Sequence, residues 1–457
     1  MDQARSTGRH NGATGQESLI TTSRKASFAP IALLACVGLF CLGGKASAQA
    51  GALDTTFGTG GVFSLGPTVS KGGLMFSPTV TSVALQGDGK ILAAGMIDNF
   101  PAVLRLNMNG TIDTAFGSSG IATSTFGNQA SGDTAVAVAV QSNGQILLAA
   151  TDALSDNGGL GFELARFDTD GTPDTTFASD GFVNTFPFGQ FAFLNSAIGP
   201  NAMVIQPDGK IVLAGTGLMV RYETNGQLDP AFGTGGAAAL ISPSVTAMAL
   251  QSGKILIASG GLPFVQAFTN TGSIARYNSN GSLDTTFGSS GQASSLVSGT
   301  AILLQSTGKI VLAGSLVSHI EIPPAINQTG FALTRLNAGG TVDTTFGVHG
   351  AVVTGFASVH PNAVVTALGQ QASGDIVAAG VAGSAVPGTT AGGLAGLARY
   401  TSVGQLDTTF GSGGTVATGL GSKNSSVVAA VIQSDGNIVV VGGGATTGFI
   451  VARFLGQ

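Results

Sequence analysis

Six times in this chain an Arg stands eight residues ahead of an Asp: Arg105/Asp113, Arg166/Asp174, Arg221/Asp229, Arg276/Asp284, Arg335/Asp343 and Arg399/Asp407. A guanidinium can grip a carboxylate with two hydrogen bonds, so the regular spacing points to ion pairs. One Arg is left over, Arg453, and so is one Asp, Asp54. Beyond residue 50 these seven are all the arginines. A solubilising role would not confine Arg to one repeat position. The other chemistry open to each Asp is to cap its own turn by an Asx hydrogen bond. Pairing is the favoured reading, and both can hold at once. Either is structural and not catalytic.

Residues that could do other chemistry are few. Beyond residue 50 there are three His (His319, His349, His360), none at the spacing of a zinc helix, and no Cys for a zinc site. No Gly-x-Ser-x-Gly elbow accompanies a suitable His and acid. Asp168-Thr169-Asp170-Gly171 resembles the opening of a calcium loop but lacks the distal Glu, and reads as a turn. The expectation is therefore no catalytic residue, no metal and no cofactor.

The elements that hold the pairs recur as well. Leu53-Asp54-Thr55-Thr56-Phe57-Gly58 opens a motif whose Asp returns at 113, 174, 229, 284, 343 and 407, and a Gly and a short β-prone run follow. A second motif, Ala84-Leu85-Gln86-Gly87-Asp88-Gly89-Lys90-Ile91-Leu92, flanks an Asp-Gly hairpin signal with apolar strand residues. Its copies centre on Asn143-Gly144, Asp208-Gly209, Ser252-Gly253, Thr307-Gly308, Ser373-Gly374 and Asp435-Gly436. The third motif is a strand ending in the Arg. Each unit thus holds four short strands: a before the hairpin, b after it, c ending in Arg, and d after Asp-Thr-Thr-Phe. Seven such units predict an all-β, seven-bladed β-propeller with four antiparallel strands per blade.

These motifs resemble the delta-60 repeat, a bacterial repeat associated with β-propellers, over nearly all of residues 51–457. Local departures are Ala178 in place of the Gly after Phe177, Pro230 inside the fourth motif, and a sixth hairpin, Gln371 to Asp375, without the usual Lys. The resemblance implies fold and export more than any activity.

The phase of the motifs predicts how the ring closes. Six d segments follow a c strand directly. The seventh, residues 53–66, stands alone at the start, and the last a, b, c set ends alone at Phe454. Joined, they make the last blade, remove two free sheet edges and bring Arg453 to Asp54. The repeated Phe is expected to plug the gap between blades. Tyr222, Tyr277 and Tyr400, which follow the repeat Arg, read as core.

Residues 1–50 read as a secretory signal peptide, and 51–457 as the propeller. Arg5, Arg9, Arg24 and Lys25 precede an apolar run from Phe28 to Leu42, and Ala46-Ser47-Ala48 and Ala48-Gln49-Ala50 offer cleavage sites. The run is short for an uncleaved membrane anchor. Both cysteines, Cys36 and Cys41, lie inside it. The remainder carries 13 cations against 21 anions, which argues against nucleic acid. The mature chain is expected to be a monomer without a transmembrane segment, exported to the periplasm, the cell surface or the medium.

With a on the innermost strand, the a–b and c–d turns share one face and are regular. The b–c and d–a connections share the other and vary widely. Binding sites usually sit on variable loops of a rigid scaffold. The binding candidates are His319 and Glu321 in residues 315–330, Phe188 and Phe191 in residues 185–200, and His360. The expected function is a non-catalytic binding or scaffold module for a protein or a surface glycan. The alternatives are an envelope or surface structural protein without a discrete ligand and, third, a propeller lyase or hydrolase.

Overall fold

The computed structural model describes residues 49–66, 68–69, 75–124, 133–152, 161–185, 199–260, 272–314, 330–356, 363–383, 393–421, 425–443 and 448–457. These residues form seven four-stranded antiparallel sheets and contain no helix. Blade 1 is typical, with strands Thr79–Leu85, Ile91–Ile97, Phe100–Leu106 and Ile121–Thr123 in spatial order a-b-c-d. Blades 2 to 6 span 134–185, 200–239, 247–295, 301–354 and 363–418. Two further short strands, Thr68–Val69 and Met75–Phe76, pair between strand d of blade 7 and strand a of blade 1, and no repeat motif announced them.

Blade 7 joins the two ends of the chain. Its a, b and c strands are Ser426–Ile432, Ile438–Gly443 and Phe449–Phe454, and its d strand is Val62–Leu65. The pairing sets Val62 opposite Ala452 and Leu65 opposite Phe449. The c–d turn is also rebuilt across the break. Gly51 N–H donates to Leu455 O (2.7 Å), Leu455 N–H to Ala52 O (2.9 Å), and Asp54 N–H to Arg453 O (2.9 Å). Blade 1 makes the same three bonds within one continuous turn, from Gly110 to Asn107 O, Asn107 to Thr111 O and Asp113 to Arg105 O.

The strand sequences follow from this layering. Strands b and c lie between neighbouring blades with both faces covered, so they read as continuous apolar runs instead of alternating ones. Ile211–Gly215 and Ile310–Gly314, both Ile-Val-Leu-Ala-Gly, are buried throughout. The core is accordingly seven apolar clusters between blades. One sets Val439, Val441 and Val451 of blade 7 against Ile91, Ala93 and Leu104 of blade 1, so the closure is packed like any other interface.

The a strands contact one another in order around the ring and close it between blades 7 and 1, which makes them innermost. Five of them carry a bulge, for example between Val80 and Ser82. A bulge bends its strand locally. Opposite that bulge a Cβ on Gly95 would stand 1.8 Å from Thr79 O, so only Gly fits.

Candidate functional site

All seven Arg–Asp pairs form. The guanidinium Nε lies 2.6–2.8 Å from Asp Oδ2 in every blade, Arg453–Asp54 included. The capping reading holds too. Asp54 Oδ1 accepts from Thr56 N–H (3.0 Å) and Thr56 Oγ1–H (2.6 Å). Ala115 and Ala231 replace that Thr in two blades and supply the amide alone. The carboxylate is thus divided, one oxygen to its turn and one to its Arg. The guanidinium therefore converges on a single oxygen instead of gripping both.

The rest of each guanidinium ties one blade to the next. Nη1 donates to a backbone carbonyl on the c–d turn of the following blade: Arg105 to Thr169, Arg166 to Thr224, Arg221 to Ser279, Arg276 to Ala338, Arg335 to Ser402, Arg399 to Gly456 and Arg453 to Met108. The Arg carbon centre also sits 4.3–4.9 Å from the ring centre of its own motif Phe. Each such contact, once desolvated, is worth about 2 kcal/mol. The Phe rings are wholly buried. Phe57 and Phe116 lie under the turn glycines Gly110 and Gly171 of the next blade, where a Cβ would come within 2.9 Å of the ring. They plug the gap between blades, as the motif implied.

A fourth partner was not read from the sequence. The hairpin Lys reaches the same Asp Oδ2 in four blades: Lys90 to Asp113 (2.9 Å), and Lys210, Lys254 and Lys309 to Asp229, Asp284 and Asp343 (2.7 Å each). In blade 2, Gln145 takes that place and donates to Asp174 (2.6 Å). The signal was available, because this Lys follows the hairpin Gly at a fixed position. Electrostatics follow from the contacts. Burial pulls the Asp229 carboxyl up, but the Lys210 ammonium, the Ala231 amide and Arg221 outweigh it and hold it at about 2. At Asp284 the Lys254 ammonium leads in the same direction.

The tyrosines also join elements. Tyr222 O–H donates to Thr185 Oγ1 of blade 2, and Tyr400 O–H to Thr354 Oγ1 of blade 5, both at 2.8 Å. Burial pushes both phenols far above their usual range.

Strand a of every blade faces the channel, and none of these seven strands contains an Asp, Glu, His, Cys, Lys or Arg. Among the described residues no three His, Cys, Asp or Glu side chains cluster as metal ligands. Asp170 Oδ1 accepts from Thr172 N–H and Oγ1–H, which makes the calcium-like segment an Asx turn. His349 lies in the turn before strand d of blade 5 with φ 52°. Phe188, Phe191, His319, Glu321 and His360 lie outside the described residues.

Connection lengths divide the ring into two faces. The a–b turns span 86–90 in blade 1 and the equivalent five positions elsewhere, except in blade 4, where only Ser252-Gly253 remain. The b–c connections range from 98–99 in blade 1 to 315–330 in blade 5, and the d–a connections from 296–300 to 186–199.

A family model described as a domain of unknown function (DUF5122) beta-propeller matches residues 86–116, 141–177, 206–232, 250–287 and 305–346. Each matched segment runs from a hairpin to the motif Phe of the following turn, the stretch that holds one blade's hairpin Lys or Gln, its repeat Arg and its motif Asp. The chain is a β-propeller repeat protein. Among solved structures, this propeller is similar to a virginiamycin B lyase from Staphylococcus aureus, at 12% identity over 86% of this chain and 99% of that one, TM-score 0.49. It is also similar to the β-propeller domain of the Trilobed protease from Pyrococcus furiosus (9%, 84% and 97%, TM-score 0.43). A third is a gluconolactonase from Xanthomonas campestris (12%, 68% and 90%, TM-score 0.34). No curated protein matches the sequence. No helix among the described residues is long and apolar enough to cross a membrane.

Proposed function

We propose that this propeller is an exported, non-catalytic binding or scaffold module that takes a protein or glycan partner on its variable face. The observation that carries the reading is the division of labour between the two faces. On the regular face every repeat Arg and Asp is spent on holding a blade or joining two. Variation in length is concentrated in the b–c and d–a connections at the other end of the strands. A scaffold that fixes one face and varies the other is the usual ground for a binding site.

The non-enzymatic part of the proposal draws on the inner strands. A propeller lyase or hydrolase with its site in the channel needs acid, base or metal-ligating groups there, and these strands offer none. Export draws on the N-terminal charge and apolar pattern, and on the absence of cysteine after Cys41.

The test is capture of partners from envelope and culture-medium fractions. The bait is the intact propeller, beside a variant in which residues 315–330 are replaced by the two-residue Asp98-Asn99 turn of blade 1. A partner held by the first and lost by the second supports the reading. Equal capture by both, or retention of the protein in the cytoplasm, overturns it.

A further inference from the structure

Four Asn-Gly dipeptides occupy turns among the described residues: Asn109-Gly110, Asn143-Gly144, Asn225-Gly226 and Asn280-Gly281. Asn11-Gly12 and Asn157-Gly158 lie outside them. In each turn the Asn amide carbon stands next to the backbone nitrogen of a residue with no side chain to shield it. Attack of that nitrogen on Cγ forms a C–N bond and closes a five-membered imide. The Cγ–Nδ2 bond breaks, and ammonia leaves with the proton from the Gly N–H. Water then opens the imide at either carbonyl, to aspartate or isoaspartate. The net change is amide plus water to carboxylate plus ammonium, with nothing oxidised or reduced.

The attacking nitrogen is engaged in all four turns. Gly110, Gly144, Gly226 and Gly281 donate it to Asn107 O, Gln141 O, Glu223 O and Asn278 O at 2.9–3.0 Å. The turn must therefore open locally before it reacts, and the rate follows the cost of opening. Three of the turns are bolted to the preceding blade. Asn109 O, Asn225 O and Asn280 O accept from Gly58, Ala178 and Gly233 N–H (2.8–2.9 Å). The carbonyl one residue earlier takes a guanidinium, Met108 from Arg453, Thr224 from Arg166 and Ser279 from Arg221. The three glycines are buried against Phe57, Phe177 and Phe232. The Asn143 hairpin has none of this. Among the described residues no bond from another blade reaches Ser142, Asn143 or Gly144. Gly144 is half-buried, and a Cβ there would meet only the Thr169 methyl.

Asn143 also sets its neighbour. Its Nδ2–H donates to Gln145 Oε1 (2.7 Å), which leaves Gln145 Nε2–H for Asp174 Oδ2 (2.6 Å) and Asp168 Oδ1 (3.2 Å). Blade 7 shows the alternative. Its hairpin carries Asp435, and Asn437 Nδ2 donates back to Asp435 Oδ2 (2.9 Å). Asp54 is then left to Arg453 and Thr56.

We propose that Asn143-Gly144 is a self-deamidating site, whose reaction with water unlatches Gln145 from Asp174. A carboxylate at position 143 accepts and cannot donate, so the Gln145 amide turns its N–H groups to it, as Asn437 does to Asp435. An aspartate product keeps the hairpin, since Asp88 and Asp208 cap the same turn through Lys90 and Lys210 N–H (3.1 and 3.2 Å). The inference goes beyond the binding reading and does not rest on it.

Peptide mapping by mass spectrometry of the intact folded protein, aged at mildly alkaline pH, tests the site. Asn143 should deamidate faster than Asn109, Asn225 and Asn280 by about tenfold or more, the factor set by inter-blade bonds that need not break. In urea the four rates should converge. Equal rates in the folded protein, a lead by any of the other three, or no reaction at Asn143 while all four react in urea, would overturn it. Asn143→Asp tests the unlatching with the product in place, and three other blades carry Asp at that position, so it should fold. Gln145→Ala should lower the denaturation midpoint of the parent and leave that of Asn143→Asp unchanged. An equal drop in both, or a drop in neither, would mean that the new carboxylate does not take Gln145 from Asp174.

Discussion

Arg453 Nη2 lies 2.6 Å from Asp54 Oδ2, although 399 positions separate the two residues. The contact repeats Arg105–Asp113 at the only place where the chain does not run from one residue to the other. Both side chains are about nine-tenths buried. Removing one partner strands a buried charge, at a cost of about 3–5 kcal/mol. Arg453→Ala and Asp54→Ala should each fall in that range by chemical denaturation. The double mutant should show coupling similar to that of Arg276 and Asp284. Coupling in the internal pair alone would mean that the ends are not joined in solution.

Ala178 is the exception in a row of glycines. Gly58, Gly117, Gly233, Gly288, Gly347 and Gly411 hold its position with φ between 49° and 56°, and Ala178 adopts φ 55° with a Cβ. Left-handed backbone costs a non-glycine residue about 1 kcal/mol. Ala178→Gly should therefore stabilise the ring by up to about 1 kcal/mol, read as a rise in denaturation midpoint. The reverse change, Gly233→Ala, should destabilise by more than that, because its Cβ would meet Ala237 O at 2.0 Å.

Acid should loosen the ring through its aspartates. Asp54, Asp113, Asp174, Asp229, Asp284, Asp343 and Asp407 are all held below their ordinary range when folded. A depressed folded pKa adds stability that is fully present above the unfolded value, about 3.9, and is lost as pH falls through the folded one. Stability should hold from neutrality to about pH 5 and decline from about pH 4 toward pH 2, where Asp229 titrates at about 2. A thermal-melt series over that range checks it. A Tm that stays flat down to pH 2 would contradict the linkage.

Phe287 has no exposed surface and carries Arg276 4.6 Å from its ring centre. Phe287→Leu removes the ring but keeps an apolar plug. Phe287→Ala opens the gap between blades 4 and 5. The second should cost about 3–5 kcal/mol, and the first clearly less, by urea denaturation. Equal losses would mean that the Arg–ring contact outweighs the packing.

Strand number, blade phase and the closure were legible because each rests on a short motif: Asp-Gly hairpins, the strand ending in Arg, and Asp-Thr-Thr-Phe. Eight residues along one turn also sufficed to foresee the pairing of Arg105 with Asp113. What could not be read lies between blades. That Arg105 reaches Thr169 O depends on the rotation from one blade to the next, which no local spacing encodes. The Lys contact was missed for a related reason, since Lys90 and Asp113 belong to different hairpins and meet only through the sheet. The short pair Thr68–Val69 and Met75–Phe76 has no repeat to announce it. Among the binding candidates, Phe188, Phe191, His319, Glu321 and His360 fall in non-repeating connections, where the sequence offers no internal template.

The rebuilt turn at Gly51 and Leu455 sets an order of events in time. A chain made from its N terminus delivers Val62–Leu65 first and the strand it needs, Phe449–Phe454, last. Contacts across so long a loop form late, and until then Val62–Leu65 is an unpaired edge able to accept another strand. The strand that fits best on a second molecule is the same Phe449–Phe454. Two copies that meet in this interval can exchange their first strands, each completing the other's last blade with every native hydrogen bond in place. The finished monomer and the exchanged dimer would then differ by little in energy. Protein concentration during folding would decide between them.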